Sequence, residues 1–170
     1  MQPTASAAIS NDITFTLISS QISSQYEASA LGYSVSLVNG ITSGAIDMGV
    51  LASGTLPSSG KEVFDFTALS KKALGVEQTV NFNKIKGIAI QNREITYGND
   101  INVHATGSNA FTGLFNGESG NFLIKPYAVD QYTDMISGTN VGAGNSELTI
   151  QDVSGAGAKW TMIVVGITGS

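Results

Sequence analysis

Trp160-Thr-Met-Ile-Val-Val-Gly-Ile167 is the strongest β-type run in the chain, and with Ile85-Lys-Gly-Ile-Ala-Ile90 it decides the fold. β-Branched and aromatic residues suit a pleated, half-buried surface. A short run that is apolar on both faces reads as a strand covered on both sides, the place of a central strand in a sandwich. Outward from these two runs, period-two alternation recurs. Ile13, Phe15 and Leu17 alternate with threonines, Tyr33-Ser-Val-Ser-Leu37 repeats the pattern, and Ile46, Met48 and Val50 continue it. Val63–Phe66, Val80–Phe82, Ile101–Ala105, Ala110–Phe115, Asn121–Lys125 and Glu147–Gln151 supply further strands.

Turn residues separate the runs. Asn39-Gly40 and Gly98-Asn99 read as turns, and the Ser/Gly/Pro cluster Ser53–Gly60 as a loop. Gly138–Gly144 and Gly155-Ala-Gly157 are corners needing positive φ; without a Lys-Ser/Thr ending they imply no nucleotide. Thr67–Leu74 is read as a short helix capped at Gly75, while Ser19–Ala30 carries no clear period. About nine to eleven short strands, spaced about 8–14 residues apart, indicate a sandwich or barrel. The expected fold is an all-β, jelly-roll-like antiparallel β-sandwich. Residues 1–12, small and polar, read as an extended N-terminal arm, and 13–170 as a single β-sandwich domain.

Composition narrows the function. The 170 residues include one histidine, no cysteine, 20 glycines and only 12% charged residues. There is no thiolate for catalysis or zinc and no disulfide. The net charge of −5 argues against nucleic acid, whose recognition starts from basic patches. No apolar run approaches the ~18 residues of a membrane span. Met1–Ile9 lacks a basic n-region and an apolar h-region, so synthesis in the cytoplasm of the host is expected. Low charge beside 42% hydrophobic residues suggests a surface partly covered by copies of itself or by a partner.

Candidate chemistry is sparse. His104 lies in a strand near Asp100 without a Gly-x-Ser-x-Gly elbow, and reads as a hydrogen-bonded surface or interface histidine. Asp130 and Asp134 flank Tyr132, with Glu118 upstream, but their spacing matches no calcium loop, and nothing pairs two carboxylates for glycoside hydrolysis. No catalytic residue, metal or cofactor is assigned. Phe15, Phe64, Phe66, Phe82 and Phe122 read as core and Trp160 as a core-edge residue. Tyr26, Tyr97, Tyr127 and Tyr132 fall in or beside loops, where tyrosine stacks on sugars or anchors interfaces. Tyr97, Tyr127, Asp130, Tyr132 and Asp134 form the candidate loop binding surface.

The second half resembles small β-sandwich virion proteins of tailed bacteriophages: capsid decoration (cement) proteins and head or tail fibre modules. The resemblance rests on Val80-Asn-Phe-Asn-Lys-Ile-Lys-Gly-Ile-Ala-Ile-Gln-Asn92, Ile101-Asn-Val103, Gly120-Asn-Phe-Leu-Ile124, Leu148-Thr-Ile150 and Trp160–Gly166, within residues 45–168. It departs from that pattern before the Gly120 strand, where Glu118-Ser-Gly replaces a Pro-Gly turn. The resemblance implies a non-enzymatic capsid decoration or minor capsid protein located in the virion. Its expected partners are itself, as a homo-oligomer and specifically a trimer, and the major capsid or another virion protein. The arm, with Gln2, Pro3, Thr4 and Ile9, would dock on a neighbour. The alternative is a carbohydrate- or receptor-binding module of a phage fibre or a lectin-like domain. A hydrolase is disfavoured by the scarcity of acid–base side chains.

Overall fold

Alternation at period two places every second side chain of a strand on one face, and two such faces bury each other here. The structure is a computed structural model describing residues 6–9, 15–18, 23–26, 35–41, 45–73, 76–115, 120–134 and 136–168. In chain order the strands begin β1 (Ser6–Ile9), β2 (Phe15–Ile18), β3 (Ser23–Tyr26), β4 (Val35–Asn39), β5 (Ala45–Ile46), β6 (Met48–Leu56) and β7 (Lys61–Asp65). β8 (Leu69–Ala73), β9 (Val76–Val80), β10 (Lys84–Asn92) and β11 (Ile101–Ala105) follow, then a 3-10 turn at Thr112–Phe115. The last are β12 (Gly120–Ile124), β13 (Val129–Thr133), β14 (Thr139–Asn140), β15 (Glu147–Asp152) and β16 (Ala158–Ile167).

One main sheet runs β13-β10-β16-β6, with β14 also on β10; the other runs β12-β11-β15-β7. All pairings within them are antiparallel. Counting only these two paths in chain order from β6 to β16, the sheets read 6-3-8-1 and 5-4-7-2. The chain crosses between sheets at every step but one, from β11 to β12, which is the jelly-roll connectivity. The chain is therefore an all-β sandwich, as its alternation predicts.

Register fixes what each face carries. Inward rows of the first sheet are Val50–Val164–Ile88 and Ala52–Met162–Ile90. They meet Phe122–Val103–Ile150 and Ile124–Ile101 of the second. Full burial of side chains of this size contributes about 1.5–3 kcal/mol each. Trp160 is no edge residue: it is buried in this core with its ring 5.0 Å from that of Phe64, edge to face at 76°. Gly54 sits opposite it on β6 and leaves room for the indole. Ala89, Ile163, Val165 and Ile167 on the outward face are buried too, explaining why β10 and β16 are apolar on both sides. Phe66, Phe82 and Phe111 close one end of the sandwich, Phe66 and Phe111 packing edge to face at 5.0 Å.

Several local expectations are corrected. Thr67–Ala73 is not helical: Asp65 accepts hydrogen bonds from the Thr67 amide (2.9 Å) and hydroxyl (2.7 Å), turning the chain into β8, which pairs with β9. Residues 74–75 lie outside the described residues. Ala110–Phe115 forms a bridge and a 3-10 turn instead of a strand, because Asn145 captures the Thr112 amide at 2.9 Å. Ser53–Leu56 belongs to β6, held by Ala158–Thr161 of β16, so the loop is confined to Pro57–Gly60. β4 and β5, flanking Asn39-Gly40, pair in parallel, so the dipeptide is not a hairpin turn. Tyr26 is the last residue of β3 and pairs with Phe15 of β2.

Of the arm 1–12, Ser6–Ile9 forms β1 against β4 of the same chain, with Ile9 opposite Val35. Gln2, Pro3 and Thr4 lie outside the described residues.

A Cβ at Gly54 would approach Trp160 Cζ2 to 3.0 Å. Gly54→Val is therefore expected to cost roughly 1–3 kcal/mol through displacement of the indole. Urea unfolding followed by Trp160 fluorescence checks this: a lowered midpoint with a shifted native emission maximum is the expected result.

Candidate functional site

Jelly-roll connectivity gathers the β6–β7 loop (57–60), the β10–β11 loop (93–100), the β12–β13 turn (125–128) and the β15–β16 loop (153–157) at the end opposite the phenylalanine closure. Two inward-facing polar residues lie beneath them. Asn92 closes the inward row of Gly54 and Trp160. Asp152 lies in the row of Ile101 and Ile124. Both are buried, so their polar atoms must find partners within the protein.

Those partners are the loops. The Asn92 amide group donates to the carbonyls of Asn99 (2.8 Å) and Ile124 (3.0 Å) and accepts from the Glu94 N–H (3.0 Å). Its own backbone N–H donates to the Ala128 carbonyl at 3.0 Å, so one residue ties 93–100 to 125–128. The Asp152 carboxylate accepts from the amides of Ser59 (2.8 Å), Ser154 (2.9 Å) and Gly157 (3.0 Å) and from the Ser154 hydroxyl (2.5 Å). It thereby ties 57–60 to 153–157. Gly157 has φ +84 and its Cβ position faces the Leu56 carbonyl, so glycine is required there. Val153 N–H donates to the Asp100 carbonyl at 3.3 Å, linking the two halves.

Burial pushes the Asp152 carboxyl up, but the hydrogen bonds from Ser154, Ser59 and Gly157 outweigh it and hold the group at about 2. Above this platform Ile95, Tyr97, Tyr127 and Val153 are exposed. Tyr127 has φ +63, a conformation that costs a bulky residue about 1–3 kcal/mol. Lys125 Nζ pairs with Asp100 Oδ2 at 2.5 Å, which raises the lysine's proton affinity, and Tyr97 adds to that rise.

The sequence-predicted surface is divided. Tyr97 and Tyr127 share the loop end. Tyr132 and Asp134 lie toward the other end of β13, Asp134 about 20 Å along the chain from Tyr127 at strand rise. Tyr132 is half-buried with its hydroxyl 2.7 Å from Thr139 Oγ1. Asp134 accepts from the Ser137 amide at 3.0 Å, closing the loop beyond β13. Exposed Asp130 bonds its neighbour Gln131 N–H at 2.8 Å. Asp100 and Lys125, not singled out in the sequence, complete the loop end; the only signal for them was adjacency to Tyr97 and Tyr127. His104 faces outward on β11, 3.3 Å from Thr106 Oγ1. Burial and then Lys61 push its imidazole down, against a rise from Gln151.

Lys86 is a buried cation that sequence reasoning passed over. Its Nζ donates to the Ile136 carbonyl at 2.6 Å. Burial lowers its proton affinity, against a rise from Asp134 and with a further lowering from Lys84. Among the described residues no group of three or more His, Cys, Asp or Glu is placed to hold a metal ion. No helix among them is long and apolar enough to cross a membrane.

These features define an all-β jelly-roll module with an internally braced loop end. No protein-family profile matches the chain, and no curated protein matches it significantly. Among solved structures it is similar to a mitogen from Yersinia pseudotuberculosis, at 9% identity and a TM-score of 0.37, over 72% of this chain and 89% of that one. A likeness of that degree carries no inference about activity.

Asp152→Asn is expected to lower stability by roughly 2–4 kcal/mol, because the Ser59, Ser154 and Gly157 amides lose a charged acceptor. The sign of the pH effect follows from the depressed carboxyl. Its contribution is complete above the unfolded value of 3.8 and lost as pH falls through about 2. Urea midpoints measured across that window should converge for wild type and Asp152→Asn as the pH drops.

Proposed function

We propose that this protein is a non-enzymatic structural component of a tailed-phage virion, a capsid decoration or minor capsid protein that stabilises the particle through oligomeric surface contacts. The observation that carries the reading is the direction of the buried polar side chains. Asn92, Asp152 and Lys86 all bond to the protein's own backbone. In an enzyme, buried groups of this kind are typically aimed at a substrate and tuned for proton transfer. Here they brace loops, which suits a part whose task is to hold a shape.

The composition supports the same reading: one histidine, no cysteine and few charges leave little for turnover and favour covered surface. The resemblance of Val80–Asn92 and Trp160–Gly166 to small virion sandwich proteins supplies the particle. With Ser6–Ile9 paired to β4 of the same chain, the residues ahead of β1, including Gln2, Pro3 and Thr4, dock on a neighbouring subunit in this arrangement, the protein associates as a trimer, and the braced loop end points outward. Many modest apolar contacts, each contributing about 25 cal/mol per Å² buried, then add up over a shell.

Deletion of residues 2–5, which leaves β1 in place, tests the arm. The deleted protein is expected to keep the wild-type circular dichroism spectrum and to lose co-sedimentation with particles of the phage that carries the gene. Retained co-sedimentation would refute the arm's role, and turnover of an ester or glycoside by the purified protein would refute the non-enzymatic reading.

A further inference from the structure

We infer that the braced loop end is a binding site for a neutral saccharide, formed by Tyr97, Tyr127 and the Asp100–Lys125 ion pair. Tyr97 is 95% exposed and Tyr127 67% exposed, each presented from a loop whose backbone is fixed from below by Asn92. Aromatic side chains held this far into solvent bury little within the chain. They suit a ligand with apolar C–H faces, as sugar rings have.

The backbone of Tyr127 gives an independent reason. At φ +63 the position favours glycine, yet it carries a large aromatic residue whose ring lies mostly in water. The ring therefore does not repay that strain by packing into the fold. Strain retained at a presented side chain points to use of the side chain.

The ion pair at the same loop end sets the ligand class. Lys125 is 62% exposed, while the Asp100 carboxylate that holds it is 13% exposed, so the ammonium is the accessible polar group, with Tyr97 close enough to affect its charge. An ammonium has three N–H donors, so with one on Asp100 Oδ2 the others remain for sugar hydroxyl oxygens. Because the two charges already neutralise each other, the site favours an uncharged sugar over an acidic one. The inference does not depend on the particle role, although an outward loop end would present the site to glycans on a cell surface.

Titration of the full chain with short oligosaccharides of glucose, galactose and mannose, observed through the tyrosine ring NMR signals, tests it. At least one series is expected to shift Tyr97 and Tyr127 together. Tyr97→Ala and Tyr127→Gly are each expected to weaken binding about tenfold or more. Tyr127→Gly should leave Tm unchanged or up to about 4 °C higher, since glycine accepts the left-handed backbone. That separates loss of a contact from loss of the fold. Absence of any shift with all three sugars would overturn the inference, as would binding unaltered in both variants. Loss of self-association in Tyr97→Ala, with no sugar response in wild type, would instead mark the loop end as a protein contact and overturn it equally.

Discussion

A two-sheet sandwich has open ends, and how those ends are closed governs the rest of this molecule. At one end Phe66, Phe82 and Phe111 close it with apolar rings. At the other, each sheet turns one polar side chain inward, Asn92 from β10 and Asp152 from β15. A buried amide or carboxylate left without partners costs about 1–3 kcal/mol or more. These two recover that cost by collecting loop amides and carbonyls, so the loops form because the core has polar plugs. The connectivity makes this possible: a jelly roll brings four crossovers to the same end.

From that closure follows the character of the surface above it. Loops pinned from within need no large apolar contacts of their own, which leaves Ile95, Tyr97, Tyr127 and Val153 free to face solvent. The same bracing tolerates Tyr127 in a left-handed conformation, since the surrounding hydrogen bonds over-determine the turn. Toward the far end of β13, Lys86 works in a comparable way, its ammonium held by the Ile136 carbonyl. The molecule thus directs charge and polarity inward at a few points and keeps its outside sparsely charged.

Much of the fold was legible in the sequence, for a simple reason. Period two and the double-faced runs at 85–90 and 160–167 are local signals, and local signals report strands directly. The failures share one cause. Thr67–Ala73 and Ala110–Phe115 were misread because side chains elsewhere in the fold or at the strand end, Asn145 and Asp65, capture their amides. Ser53–Leu56 looks like a loop by composition, yet pairing with β16 overrides glycine and serine. For the site, Tyr97 and Tyr127 were visible as exposed loop aromatics. Their separation from Tyr132 and Asp134 was not, because residues close in sequence lie at opposite ends of one strand. Asn92 and Asp152 could not be recognised as plugs without the register that turns them inward.

Native-state hydrogen exchange, resolved by residue, addresses the closure most directly. If buried Asn92 and Asp152 brace the loop end, the amides of Ser59, Glu94, Ser154 and Gly157 should exchange nearly as slowly as those in the centre of β10 and β16, opening only with the whole fold. Exchange of these amides at the rate of an unprotected loop, with β10 and β16 still protected, would contradict the account.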